Sequence, residues 1–233
     1  MAAGEVGYAD RVTTSLRPVV LRNGVVIEDP LRAVLGFLKA PWPFGTGGPS
    51  RSASFGEPDL RLANRGGARI SAAEIAAILE RRSVIEPALQ AIVPDASLAA
   101  AANSVPWLPL RQLFDAFADI RGVGFAKMTK GLHPKRPALI PLLDSVVQKY
   151  LEADDLGAQA PFGERALGLV RGYQRDLDLN LPAVRVVRQE LAKLGYERTE
   201  VRILDLLILS AAPRPDRPAS SLTAPPRAPC PPR

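Results

Sequence analysis

The side chains of this 233-residue chain that could do chemistry concentrate between residues 117 and 149. In Phe117-Ala-Asp-Ile120-Arg-Gly122-Val123-Gly124-Phe-Ala126-Lys127-Met-Thr-Lys130-Gly131-Leu, two glycines flank a small apolar residue, after an apolar helix and before a second one. Glycine tolerates the backbone angles of a tight corner, and Val123 is suited to plug the space between two closely approaching helices. The amides of such a corner, at a helix N-terminus, form a concave donor site fit for one phosphate of a DNA strand. Contacts of that kind position a strand without reading its bases. Lys127, Lys130, Lys135 and Arg136 follow closely and are expected to neutralise neighbouring phosphates, so that affinity falls steeply with salt.

After the corner come Pro137-Ala-Leu-Ile-Pro141-Leu-Leu-Asp144-Ser145-Val146-Val147, and Asp144 follows Gly122 by 22 residues. In this order of parts the sequence resembles the helix-hairpin-helix DNA glycosylase (HhH-GPD) superfamily, over about residues 110 to 150. There the hairpin is followed by an apolar, often proline-containing segment and an aspartate at the next helix start. The resemblance implies a mainly helical fold, duplex DNA as partner, and Asp144 as the carboxylate that stabilises the positive charge developing on the sugar when an N-glycosidic bond breaks. Bifunctional members carry a lysine four residues after the first hairpin glycine, where this chain has Ala126. Lys127 is one residue late, a turn of about 100° on a helix. For an enzyme of this kind the resemblance therefore implies a monofunctional glycosylase using water. Ser145-Val146-Val147 follows the family's usual Thr, aromatic or His, and Val only loosely, and the four-cysteine cluster of some relatives is absent.

A plainer reading stands beside this one. Asp144 before Ser145 is a good helix N-cap, and the basic residues suit a solvated face. Trp107, Phe114 and Phe125 are candidates for a side chain that wedges into a base stack, and equally for core. His133, between Leu132 and Pro134, reads as a surface loop residue, while Tyr173 and Arg175 are candidates to line a pocket. Arg202 and Asp205 are spaced to pair on one helix face. One histidine and one cysteine, Cys230, leave too few nitrogen and sulfur ligands for zinc, so no metal and no cofactor are expected. Ala63-Asn64-Arg65-Gly66-Gly67-Ala68-Arg69 is a Gly-rich turn with two arginines, without the lysine and spacing of a P-loop.

The elements that must position these groups read as helices. Ser71-Ala-Ala-Glu74 is a capping box opening a helix with Ile75, Ile78 and Leu79. Asp29-Pro30 opens another, to Lys39. Apolar residues at three- and four-residue spacing predict helices over 84–93, 108–120, 144–152, 165–176, 181–194 and 199–209. The strand signal is Val19 to Ile27, where Asn23-Gly24 supplies the positive φ angles of a hairpin turn. Ala40 to Pro58, mixing four prolines with four glycines, reads as an irregular loop. From Ala211 eight prolines in 23 residues predict a disordered Pro/Arg-rich tail, a candidate docking segment for a protein partner.

Composition fits a globular chain: 47% hydrophobic and 23% charged residues exclude a wholly disordered, collagenous or coiled-coil protein. The net charge of +6 is shared between the tail and the body, but Asp119 to Lys149 alone sets six basic residues against two acids. No stretch reaches the roughly 18 apolar residues of a membrane span, and no export signal is read at the start, so a cytoplasmic protein without membrane partners is expected. The expected organisation is an N-terminal segment with a short β-hairpin (1–28), a helical HhH-glycosylase-like domain (29–210) and the tail (211–233). Two functions follow: a DNA-binding protein, in its catalytic form a monofunctional base-excision glycosylase, or a non-catalytic helical protein-interaction module in which the glycine corner is only a tight bend.

Overall fold

The computed structural model describes residues 17–38 and 52–213. Most of the loop expected at 40–58 and nearly all of the tail lie outside the described residues. The protein is mainly α-helical with a short antiparallel hairpin, β1 (Val19–Val20) against β2 (Val26–Ile27). The helices are α1 (Pro30–Leu38), α2 (Glu57–Arg65), α3 (Ala72–Glu80), α4 (Arg82–Gln90), α5 (Trp107–Asp115), α6 (Phe125–Leu132), α7 (Ser145–Tyr150), α8 (Phe162–Lys193) and α9 (Glu200–Ala211). Among the described residues no helix is long and apolar enough to cross a membrane.

Local chemistry sets most helix starts. The Asp29 carboxylate accepts from Arg32 N–H at 2.9 Å, one residue before Pro30 begins α1. Ser71 and Glu74 exchange the two bonds of a capping box, at 3.3 and 2.9 Å, and the Thr199 hydroxyl caps α9 through Arg202 N–H at 3.1 Å. The hairpin differs from a two-residue turn. Gly24 N–H donates to Leu21 O and Leu21 N–H to Val25 O, and only Gly24, at φ +82°, takes the left-handed conformation. That is a type I turn closed by a glycine bulge, with the Asn23 side chain bonding ahead to Val25 N–H.

Two departures from the sequence reading shape the body. α2 starts inside the stretch read as irregular, because Asp59 turns back to accept from Gly56 N–H at 2.9 Å and Pro58 needs no donor in a first turn. And α8 runs unbroken through Pro182, where two helices were expected. Pro182 is exposed, while Leu177, Asn180, Ala183, Val184, Val187 and Leu191 are all buried. Burial of that continuous face outweighs the roughly 3 kcal/mol that an interior proline costs.

The core is organised on α9, whose residues Val201 to Ile208 are all buried. A helix buried on every side must be covered on every side, here by α1, α7 and α8. α5 packs between α4 and α8. α2 runs antiparallel to α6: Asp59 pairs with Lys135 beyond the C-terminal end of α6, Leu60 lies against Gly131, and Gly67, past the end of α2, meets Lys130. The turn after α2 therefore arrives beside α6, within reach of the Lys130 side chain.

Candidate nucleic-acid interface

The glycine corner forms as a bend between α5 and α6. After α5 the chain passes through Asp119, at φ +61°, into a turn closed by Val123 N–H donating to Ile120 O at 3.0 Å. Gly122 occupies the third position of that turn at φ +82°, where a side chain would be strained. Ile120, Val123, Phe125 and Met128 are buried beneath the corner, while Gly122 and Gly124 are exposed. Gly124 is the N-cap of α6 and has no side chain to cap it, so among the described residues the first amides of α6 have neither an intrahelical nor a side-chain acceptor.

The cations expected around the corner divide into two groups. Lys127 and Lys130 stay at the surface, each held. Lys127 Nζ lies 2.7 Å from both oxygens of Glu74, and Lys130 Nζ donates to Gly67 O at 3.1 Å. Bonding to Lys127, with the Ser71 amide, holds the Glu74 carboxyl below its ordinary range. The Glu74 side chain also packs on Gly122, where any Cβ would run into it. Lys135 and Arg136 do not serve as phosphate contacts, which corrects the expectation. Lys135 is 4% exposed, with Nζ 2.7 Å from Asp59. Arg136 is 1% exposed and donates to the carbonyls of Leu89 and Ile92 at the end of α4, at 2.8 to 3.1 Å, and to Lys135 O. A guanidinium buried and bonded in this way is a structural clamp, since leaving it unbonded would be costly.

Asp144 caps α7. Its Oδ1 accepts from Val146 N–H and Val147 N–H, both at 3.0 Å, and the residue is half-buried. The residue before it is tied to α6, because the Thr129 hydroxyl donates to Phe125 O at 2.8 Å and accepts from Leu143 N–H at 3.1 Å. Corner and carboxylate thus share one hydrogen-bonded framework. Behind it, burial pushes the Asp205 carboxyl up to about 7, against the pull of Arg202 at 3.6 Å and helped by the charge of Asp144. Arg202 and Asp205 pair as expected, but inside the protein.

Several expected roles change. His133 is buried with Nδ1 2.7 Å from Ile140 O, and desolvation lowers its pKa to about 4, so it is neither a surface group nor a cation at neutral pH. Phe114 and Phe125 are core, Phe125 against Phe162 at 4.7 Å, which removes both as wedges. Tyr173 is fully buried, its hydroxyl donating to Val201 O at 2.5 Å. Half-buried Trp107, with Arg171 stacked 5.3 Å above its ring, lines an open groove of about 680 Å³ together with Arg111, Leu156, Glu164 and Arg175. Asp144 lines neither this groove nor a second, of about 560 Å³, between β2, α1 and the end of α9. Among the described residues no three His, Cys, Asp or Glu side chains gather as a metal-binding set.

Sequence reasoning missed two members of this surface, Glu74 as the partner of Lys127 and the arginine-bearing turn after α2. The capping box and the Gly-rich turn were both legible; their proximity to the corner was not. No curated protein and no solved structure matches the chain. The stretch from α2 through the corner and Asp144 to α9 falls within residues 44–211, and over those residues the chain matches, and belongs to, the Family of unknown function (DUF6308).

Proposed function

We propose that this protein binds duplex DNA through its sugar-phosphate backbone, with the Gly122-Val123-Gly124 corner as the gripping element. The observation that carries this reading is the N-terminus of α6 at exposed Gly124, whose first amides no described side chain caps and beside which the Glu74 carboxylate is already engaged by Lys127. A phosphate there accepts several N–H bonds at the positive end of a helix, with Lys127 and Lys130 alongside. In its catalytic form the reading makes Asp144 the carboxylate of a monofunctional base excision, in keeping with the resemblance to helix-hairpin-helix glycosylases.

Gly124→Asp tests the reading without disturbing the fold. Gly124 is extended, with nothing within 4 Å of an added Cβ, so aspartate fits and caps α6, changing stability by a few tenths of a kcal/mol. Its carboxylate would occupy the amides and repel phosphate. In an anisotropy titration of a labelled duplex, the wild type should bind at low salt and weaken steeply as salt rises, and Gly124→Asp should lose that binding with its unfolding midpoint unchanged. Equal binding by both proteins removes the corner as the grip.

The second reading, a helical protein-interaction module, is favoured by the internal engagement of Lys127, Lys130, Lys135 and Arg136. Absence of duplex binding even at low salt selects it.

A further inference from the structure

We infer that the turn joining α2 to α3 is a second contact for the same duplex, with Arg65 and Arg69 holding phosphates that flank the one at the corner. The inference rests on the DNA-binding reading above and adds to it a surface outside the corner.

Three observations carry it. The first is position. Lys130 reaches across from α6 to Gly67 O, and Glu74, at the start of α3, both pairs with Lys127 and packs on Gly122. The turn and the corner are therefore one continuous surface. Arg69 is two residues from Gly67, at most roughly 7 Å of chain.

The second is rigidity. The Asn64 side chain spans the turn, donating to Ile70 O at 2.8 Å and accepting from Ile70 N–H at 2.6 Å. Gly66, Gly67 and Ala68 each donate a backbone bond to α2, and Ala68 and Ile70 are buried on either side of Arg69. Arg69 is held in a left-handed conformation at φ +55° and presented to solvent by a turn that is already ordered. Binding then has little backbone entropy to overcome.

The third is charge without a partner. Arg65, Arg69 and, on the corner itself, Arg121 are exposed, and among the described residues none has a side-chain hydrogen bond or ion pair. By contrast Arg61, one turn earlier on α2, is engaged by Glu57 at 2.6 Å. A guanidinium fork matches two phosphate oxygens at once, and the Glu74 carboxylate between the two surfaces is already neutralised by Lys127. Phosphodiester backbone fits such a group of exposed, unpaired cations on an ordered turn better than an apolar partner would.

The test compares the salt dependence of binding of a fluorescein-labelled random-sequence duplex by the full-length wild type and by R65A/R69A, with R81A, an exposed arginine at the far end of α3, as control. Removing one phosphate-binding cation should lower the slope of log K against log salt by about 0.9. R65A/R69A should therefore show a slope shallower by about 1.8 and bind at least several-fold more weakly near 0.1 M salt, with its unfolding midpoint unchanged; R65K/R69K should recover much of the slope, and R81A should match the wild type. If the wild type binds and R65A/R69A and R65E/R69E keep its slope and affinity, the inference is wrong and the corner stands. If the wild type fails to bind at the lowest salt, the corner reading falls and this inference with it.

Discussion

Asp144 has one role that its hydrogen bonds show and a second that only the proposed function assigns to it. Its Oδ1 holds the first turn of α7, so the residue is structural whatever else it does. Asparagine caps almost as well as aspartate, whereas alanine cannot cap at all. Asp144→Asn should therefore unfold in urea within a few tenths of a kcal/mol of the wild type, and Asp144→Ala should be destabilised by about 1 kcal/mol. On the base-excision reading, Asp144→Asn should also lose release of a base from lesion-containing duplexes, because a neutral amide cannot stabilise the sugar cation. A variant that is both stable and as active as the wild type would leave Asp144 as a cap alone. The cap itself was legible in the sequence, because an Asx side chain bonds to amides two and three residues ahead and needs no tertiary partner. Val123 was legible in the same way. Lys135 and Arg136 were not, since the Asp59 carboxylate and the Ile92 and Leu89 carbonyls that hold them are 44 or more residues away in the chain.

At the scale of elements, Arg136 shows how a residue that looked like part of a binding face became part of the frame. It closes the C-terminal end of α4 from 44 and 47 residues away, donating to Ile92 O just past the helix and adding a charged donor to Leu89 O, which also accepts from Ile92 N–H at 3.2 Å. Arg136→Met keeps much of the volume and removes every donor. Bonds from a charged group contribute about 1.5–3 kcal/mol each, and the carbonyls left behind are buried, so the variant should lose about 3 kcal/mol or more in chemical denaturation. Its binding to duplex at a temperature where it is folded should match the wild type; a selective loss of binding would return Arg136 to the interface. The helix starts at Asp29 and Ser71 were readable because capping is local chemistry. The continuity of α8 was not, because the face that carries it across Pro182 matters only when α9 lies against it.

For the molecule as a whole, two buried ionisable groups near α9 contribute to the response to pH in opposite directions. His133, lowered to about 4, takes up fewer protons folded than unfolded, so its contribution is complete above pH 6.5 and is lost as pH falls towards 4. Asp205, raised to about 7, holds its proton in the fold where the unfolded chain has released it, so stability declines as pH rises from about 4 to 7. The two slopes oppose each other between pH 4 and 6.5. Asp205→Asn should make stability climb more steeply with pH across that window than in the wild type, and His133→Asn should make it fall, as read from urea midpoints at several pH values. Parallel profiles in all three proteins would show that neither group is held as described. By itself the sequence determined the helical class, the hairpin, the caps and the glycine corner, because each follows from bonds and packing among residues a few positions apart. Only the tertiary structure decided which cations reach solvent, which carboxylate faces Lys127, and that the turn after α2 meets α6, because burial, hydrogen bonding and ion pairing join residues that the chain separates by dozens of positions.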